Sequence, residues 1–167
     1  VEQLSSLFLT TQVNEAVADF TAALNLSTAE ASDEGIAAAH NALGNATRAL
    51  GRVEEALAHY EKARAIRERL QDAHGTSVAL NNIALVQRDQ GRSEEAIATS
   101  RKAIDATRAI GNRGDLASSL GNLGQFLQDS GRGEEALAAY QEGLAILRET
   151  GDDENLAETL SNLGAAY

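Results

Sequence analysis

The chain has 167 residues, no cysteine and a formal net charge of −11. The lack of cysteine excludes disulfides, zinc–thiolate sites and thiol nucleophiles. The charge opposes direct binding to nucleic acid, whose phosphates call for a surplus of lysine and arginine. No apolar run approaches the roughly 20 residues of a membrane-spanning helix, and no secretory signal is visible. A cytoplasmic protein with neither a nucleic acid nor a membrane as partner is therefore expected. Only Lys62 and Lys102 are lysines, and with the abundant alanine this points by association to a bacterial genome rich in G and C. The chain starts on Val1 and stops partway through a repeat, so both ends are expected to be boundaries inside a longer protein.

The repeat sets the order of elements. Gly51-Arg52-Val53-Glu54-Glu55-Ala56 returns as Gly91-Arg92-Ser93-Glu94-Glu95-Ala96 and as Gly131-Arg132-Gly133-Glu134-Glu135-Ala136, with a weaker copy at Thr11-Gln12-Val13-Asn14-Glu15-Ala16; each interval is 40 residues. A period of that size marks a repeat array whose units bury their apolar faces against one another. Without proline, and with much alanine, leucine, glutamate and arginine, helix is favoured throughout. Apolar residues such as Leu80, Ile83, Ala84 and Val86 recur at helical spacing. Each unit thus reads as two helices meeting at a glycine that adopts the left-handed conformation.

In chain order the spacing predicts helices over about residues 2–10 and 13–29, then 34–50 and 53–70, 74–90 and 93–110, 114–130 and 133–150, with an unpaired helix over 154–167. The repeat units run approximately 1–30, 31–70, 71–110, 111–150 and a partial 151–167, forming one array over residues 1–167. Gly44, Ala84, Gly124 and Gly164 share one position in the first helix of successive pairs; Ala16, Ala56, Ala96 and Ala136 share one in the second. Small residues facing each other let antiparallel helices approach closely, with Leu43, Ile83, Leu123 and Leu163 filling the groove beside them. Phe20, Tyr60 and Tyr140 follow the alanines by four residues, and Ser100 breaks that series.

Catalytic chemistry finds little support. The paired glutamates fall in the first turn of a helix, where the dipole favours carboxylates, and neighbouring helical residues do not face each other. His40, His59 and His74 lack metal-ligand spacing. His40 stands where other units have Leu80 and Leu120, so a packing role is expected; His59 is expected on an exposed face and His74 in a connection. There is no G-x-S-x-G elbow and no phosphate-binding glycine loop. The chain is accordingly expected to be no enzyme and to need no metal or cofactor.

Leu160-x-x-Leu163-Gly164-x-x-Tyr167, and Leu120-x-x-Leu123-Gly124 followed by Ala136-x-x-x-Tyr140, resemble the tetratricopeptide repeat, as does Leu43-Gly44 followed by Ala56-x-x-x-Tyr60. The period is longer than the usual 34, and Glu68, Arg108 and Arg148 stand where that family has proline. In this the units are similar to those of Pins/LGN polarity scaffolds, kinesin light chains and the sensor arms of bacterial signalling ATPases and transcriptional regulators. The resemblance implies an all-α, right-handed solenoid of antiparallel helix hairpins whose first helices line a concave, protein- or peptide-binding groove. Carried over residue by residue, that groove should show Asn41, Asn45, Arg48, Asn81, Asn82, Leu85, Arg88, Ser118, Asn122, Gln125 and Gln128, with Asn162 in the final helix.

Carboxamides supply donors and acceptors for an extended peptide backbone, and Arg48 and Arg88 suit acidic groups. Some of these amides are alternatively bonded within the fold. Chaperone-tail recognition is not expected, because the basic members of that subset's carboxylate clamp are absent. Two further expectations concern the whole protein. Self-association could proceed through an uncapped terminal face of Leu160, Leu163 and Tyr167. The segment could also serve as the sensor arm of a larger ATPase or regulator.

Overall fold

The computed structural model describes residues 2–151, with side chains from Thr10 onward. Seven helices occupy this span: α1 (Glu2–Ala29), α2 (Asp33–Ala49), α3 (Val53–Arg69), α4 (Ala73–Asp89), α5 (Ser93–Ile110), α6 (Arg113–Asp129) and α7 (Gly133–Thr150). No strand occurs among the described residues. The fold is an all-α helical repeat, as the periodicity requires. The expected last helix over 154–167 lies outside the described residues.

The helices end where the backbone turns left-handed. Residues at positive φ are Ala31, Gly51, Gln71, Gly91, Gly111, Gly131 and Gly151, one every 20 residues. At Gly51 the amide donates back to Arg48 O at 2.9 Å and that of Arg52 to Thr47 O at 2.9 Å, so the last carbonyls of α2 keep partners. The same pair of bonds follows α4 at Gly91 and Arg92, and α6 at Gly131 and Arg132. Position 11 would continue this series, but it is Thr11, and α1 runs straight through it as one helix of 28 residues. The expected break between 2–10 and 13–29 is thus corrected. A β-branched side chain resists positive φ, and the weak copy of the motif has no glycine to turn the chain.

Two compact units divide the chain within α4, one over residues 1–79 and the other over 80–167. In the first unit, α2 and α3 form a hairpin around Ala37, Leu43, Ala46, Ala56, Tyr60 and Ala63, all nearly excluded from solvent; α1 packs against α2. In the second, α6 and α7 form the equivalent hairpin, and Ile97, Ile104, Leu120, Leu123, Phe126, Leu127, Tyr140 and Leu147 belong to one core cluster.

The small-residue register has a sharper cause than close approach alone. A Cβ built on Gly44 would stand 2.5 Å from Tyr60 Cε1, and one on Gly124 would stand 2.5 Å from Tyr140 Cε1. Each glycine therefore leaves the slot that the facing tyrosine ring occupies. Where α4 carries Ala84, α5 carries Ser100 at the tyrosine's register, and both are buried. The Ser100 break is the other half of that exchange: a methyl on one helix requires loss of the ring on the other.

Candidate binding face

Helix ends fix the rotation of the first helix of each pair. Ser32 Oγ accepts from Gly35 N at 3.1 Å ahead of α2, Asp72 Oδ1 accepts from Gly75 N at 2.8 Å ahead of α4, and Asn112 Oδ1 accepts from Asp115 N at 3.2 Å ahead of α6. These caps satisfy amides that the helix leaves open. The Gly75 N–H and, after it, the Arg67 guanidinium at 2.7 Å hold the Asp72 carboxyl below its ordinary range. The second helices start differently. Arg52, Arg92 and Arg132 are the capping residues and offer no side-chain acceptor. Instead Arg132 grips Glu135 through Nε at 2.7 Å and a second nitrogen at 2.8 Å. Arg92 holds Glu95 in the same bidentate manner, and Arg52 stands 3.8 Å from Glu55. The second glutamate of each pair is thus partner to the arginine three residues before it, and the first stays exposed. No paired carboxylate geometry for acid–base work results.

In the first unit, Asn45 is exposed, and its Oδ1 accepts from the Tyr60 hydroxyl at 2.7 Å. The ring in the Gly44 slot places its hydroxyl at that point. Asn41 is half-buried and lines a cavity of about 240 Å³ with Ala37, Ala63, Arg67, Asp72, His74 and Val78. Arg48 is half-buried in the last turn of α2, where a cation complements the helix dipole, and it too is engaged within the fold.

In the second unit, α4 and α6 are joined by a polar ladder. Asn81 Nδ2 donates to Ser119 Oγ at 2.8 Å, and Arg88 donates to Gln125 Oε1 at 2.9 Å. The Arg88 guanidinium also lies 5.6 Å from the centre of the Phe126 ring and 3.3 Å from Asp89 Oδ1. Leu85 is partly buried against the core. Asn82 is half-buried and engaged. Gln128 Oε1 accepts from the Tyr140 hydroxyl at 3.2 Å, and burial raises that phenol above its ordinary value. Ser118 is exposed and donates back to Gly114 O at 3.2 Å. Asn122 is half-buried, and its side chain has no hydrogen-bond partner among the described residues.

The expected row of amides therefore divides in two. Asn45, Asn81 and Gln128 hold groups of the fold itself, while Ser118, Asn122 and the braced Arg88–Gln125 pair share one polar face of α4 and α6. Leu160, Leu163, Asn162 and Tyr167 lie outside the described residues.

Two features escaped the reading of the sequence. One is a cleft of about 400 Å³ between α5, α6 and α7, floored by Ile104, Leu120, Leu123 and Leu127. Two ion pairs cross it, Arg101–Glu135 at 3.0 Å and Arg108–Glu142 at 2.6 Å. The seven-residue spacing of both pairs was the available signal. The other is His59, which is half-buried and not on a free face: its Nδ1 lies 3.0 Å from Nδ1 of His40. His74 sits at the second position of α4, on its exposed first turn. Among the described residues no group of three or more His, Cys, Asp or Glu is placed to hold a metal, and no helix is long and apolar enough to cross a membrane.

Comparison with known proteins agrees with this architecture. The tetratricopeptide repeat model matches residues 5–69, 35–109 and 115–167. A search of curated proteins found no match. Among solved structures, BtubC (BKLC) from P. vanneervenii is similar with a TM-score of 0.81 at 17% identity, over 93% of this chain and 65% of that one. The nearly identical repeats of a putative kinesin light chain from Podosopora anserina give 0.75 at 21%, over 99% and 82%. A Rap protein complexed with competence and sporulation factor gives 0.84 at 17%, over 94% and 47%. The chain thus spans about two thirds of the first of these and about half of the third, and at such identities the likeness is one of fold. Since the family model covers nearly the whole sequence, the chain belongs to the tetratricopeptide repeat family.

Proposed function

We propose that this chain is a non-catalytic, cytoplasmic scaffold that binds an extended protein or peptide segment on the polar face of its first helices. The observation that carries the reading is the Arg88–Gln125 bond at 2.9 Å, braced over Phe126 beside a half-buried Asn122. Holding a flexible guanidinium in place before a ligand arrives lowers the ordering cost of binding. With its oxygen occupied by Arg88, Gln125 keeps its amide N–H groups as donors, and Asn122 offers both a donor and an acceptor. That combination suits a peptide backbone flanked by an acidic side chain, which would compete with Asp89 for Arg88. The Rap protein solved with its factor supports the reading, because a fold of this kind carries a bound partner there. Asn81, Asn82, Leu85, Ser118 and Gln128 extend this face within the second unit, and Asn41, Asn45 and Arg48 are the candidates within the first.

The test is a pull-down that identifies a partner, followed by the Asn82→Ala, Arg88→Ala, Asn122→Ala triple variant. Binding should fall at least tenfold while the helical circular-dichroism melt is kept. Unchanged affinity in a folded triple variant would remove the proposal.

A further inference from the structure

The α2–α3 hairpin carries a pair of side chains that its counterparts lack. His40 and His59 point their Nδ1 atoms at each other at 3.0 Å, with ring centroids 5.2 Å apart and planes inclined by 41°. At the same registers α6 and α7 have Leu120 and Ala139, and α4 and α5 have Leu80 and Thr99. Neither of those pairs holds an imidazole. In this hairpin alone both positions are imidazole, one from each helix. His40 is only 8% exposed, so the exchange carries a desolvation cost that leucine avoids. Burial comes first for both rings; after it the neighbouring His59 and then Lys62 lower His40, and Lys62 lowers His59, so both lie below the ordinary value of 6.5. Both are therefore neutral near pH 7.

A neutral imidazole has one N–H and one lone pair. The contact is a hydrogen bond when one ring carries its proton on Nδ1. When both carry it on Nε2, two lone pairs meet at one point between the helices. Late first-row cations favour such nitrogen donors. An ion about 2.0–2.1 Å from each nitrogen, at a tetrahedral angle, sets the nitrogens roughly 3.3 Å apart. A small rotation of the two rings reaches that separation.

We propose that His40 and His59 form a two-imidazole chelate for a late first-row divalent cation such as zinc, with water completing the coordination. No net proton is released: one ring moves its proton from Nδ1 to Nε2 through solvent, and both stay neutral. Lys62 opposes the ion's charge, and Glu55, one turn before His59, offsets it. The bound ion ties α2 to α3 at a register where the other units carry no nitrogen ligand.

The experiment uses the full chain without a histidine tag, stripped of metal. Zinc and nickel are titrated separately at neutral pH, followed by calorimetry and by thermal melting. One-to-one saturable binding and a raised melting midpoint are expected. His40→Leu and His59→Thr place at each site a residue already used at that register, so both variants should fold; each should bind at least tenfold more weakly. His74→Ala should bind as the unaltered chain does. Imidazole 15N shifts should move at Nδ1 of His40 and His59 on adding zinc. No saturable binding, equal binding in the His40 and His59 variants, or loss of binding in His74→Ala would overturn the proposal. The first of these would leave the pair a proton-sharing packing contact only.

Discussion

The hairpins α2–α3 and α6–α7 are built on one plan and finished differently. Both seat a tyrosine ring in a glycine slot, with the same 2.5 Å approach to a Cβ that is absent. The hydroxyls then diverge. Tyr60 donates to Asn45, whereas Tyr140 donates to Gln128, because the residue at the Asn45 register is Gln125 and Arg88 already holds it. The floors diverge too, with two histidines in one and Leu120 and Ala139 in the other. Packing at the interface is thus repeated with little freedom, since a single methyl decides whether the ring fits. Polar partners at the rim are exchanged readily, because several positions on a helix face reach the same hydroxyl. Differences between hairpins, not their shared pattern, mark where binding can be specific.

The largest test of the shared plan removes the rings. Tyr60→Ala or Tyr140→Ala should each cost about 3–5 kcal/mol in urea unfolding. Next, Gly44→Ala or Gly124→Ala should cost about 1–3 kcal/mol, because ring and methyl cannot both be accommodated. Combining Gly124→Ala with Tyr140→Ser copies the Ala84 and Ser100 pair. The double variant should be less destabilised than the sum of its two single changes, since the clash disappears with the ring. Additive costs would refute the slot.

A smaller effect separates the two hairpins by pH. The folded-state pKa values of His40 and His59 are lowered, so the unfolded chain binds protons more readily than the folded one. Stability is then fully present above about 6.5 and is lost as pH falls from there through the folded values. Lys62 sharpens the loss and Glu55 tempers it at His59. Amide protection in α2 and α3, corrected for the intrinsic pH dependence of exchange, should fall over that range while α6 and α7 change less, and the His40→Leu, His59→Thr double variant should flatten the response. The smallest effect concerns the turns. Gln71 holds φ 56° where Gly111 and Gly151 hold the equivalent position. Gln71→Gly should stabilise the chain by about 1 kcal/mol in the same urea assay.

Most of the fold was legible because its determinants are local and recur. Gly51, Gly91 and Gly131 turn the backbone whatever surrounds them, and the helix ends lie within a residue of the expected positions from α2 to α7. At Thr11 the period lacks the glycine that gives it physical force, and α1 continues through it. The candidate face was legible only in part. Spacing places Asn45, Asn81, Gln125 and Gln128 on one side of their helices, but whether an amide holds the fold or awaits a ligand depends on what reaches it from another element. Tyr60 and Arg88 do so through tertiary packing. His59 failed for the same reason: helical position alone does not reveal that His40 faces it. The signal was still present, because both residues depart together from Leu80 and Thr99, and from Leu120 and Ala139.

The most direct measurement of the binding role is a selection of random extended peptides on the immobilised chain, repeated on the folded Arg88→Ala, Asn122→Ala variant. Peptides bearing an acidic residue should be enriched, with affinity reduced at least tenfold in the variant. Failure to enrich any peptide, or equal binding by the variant, would contradict that role.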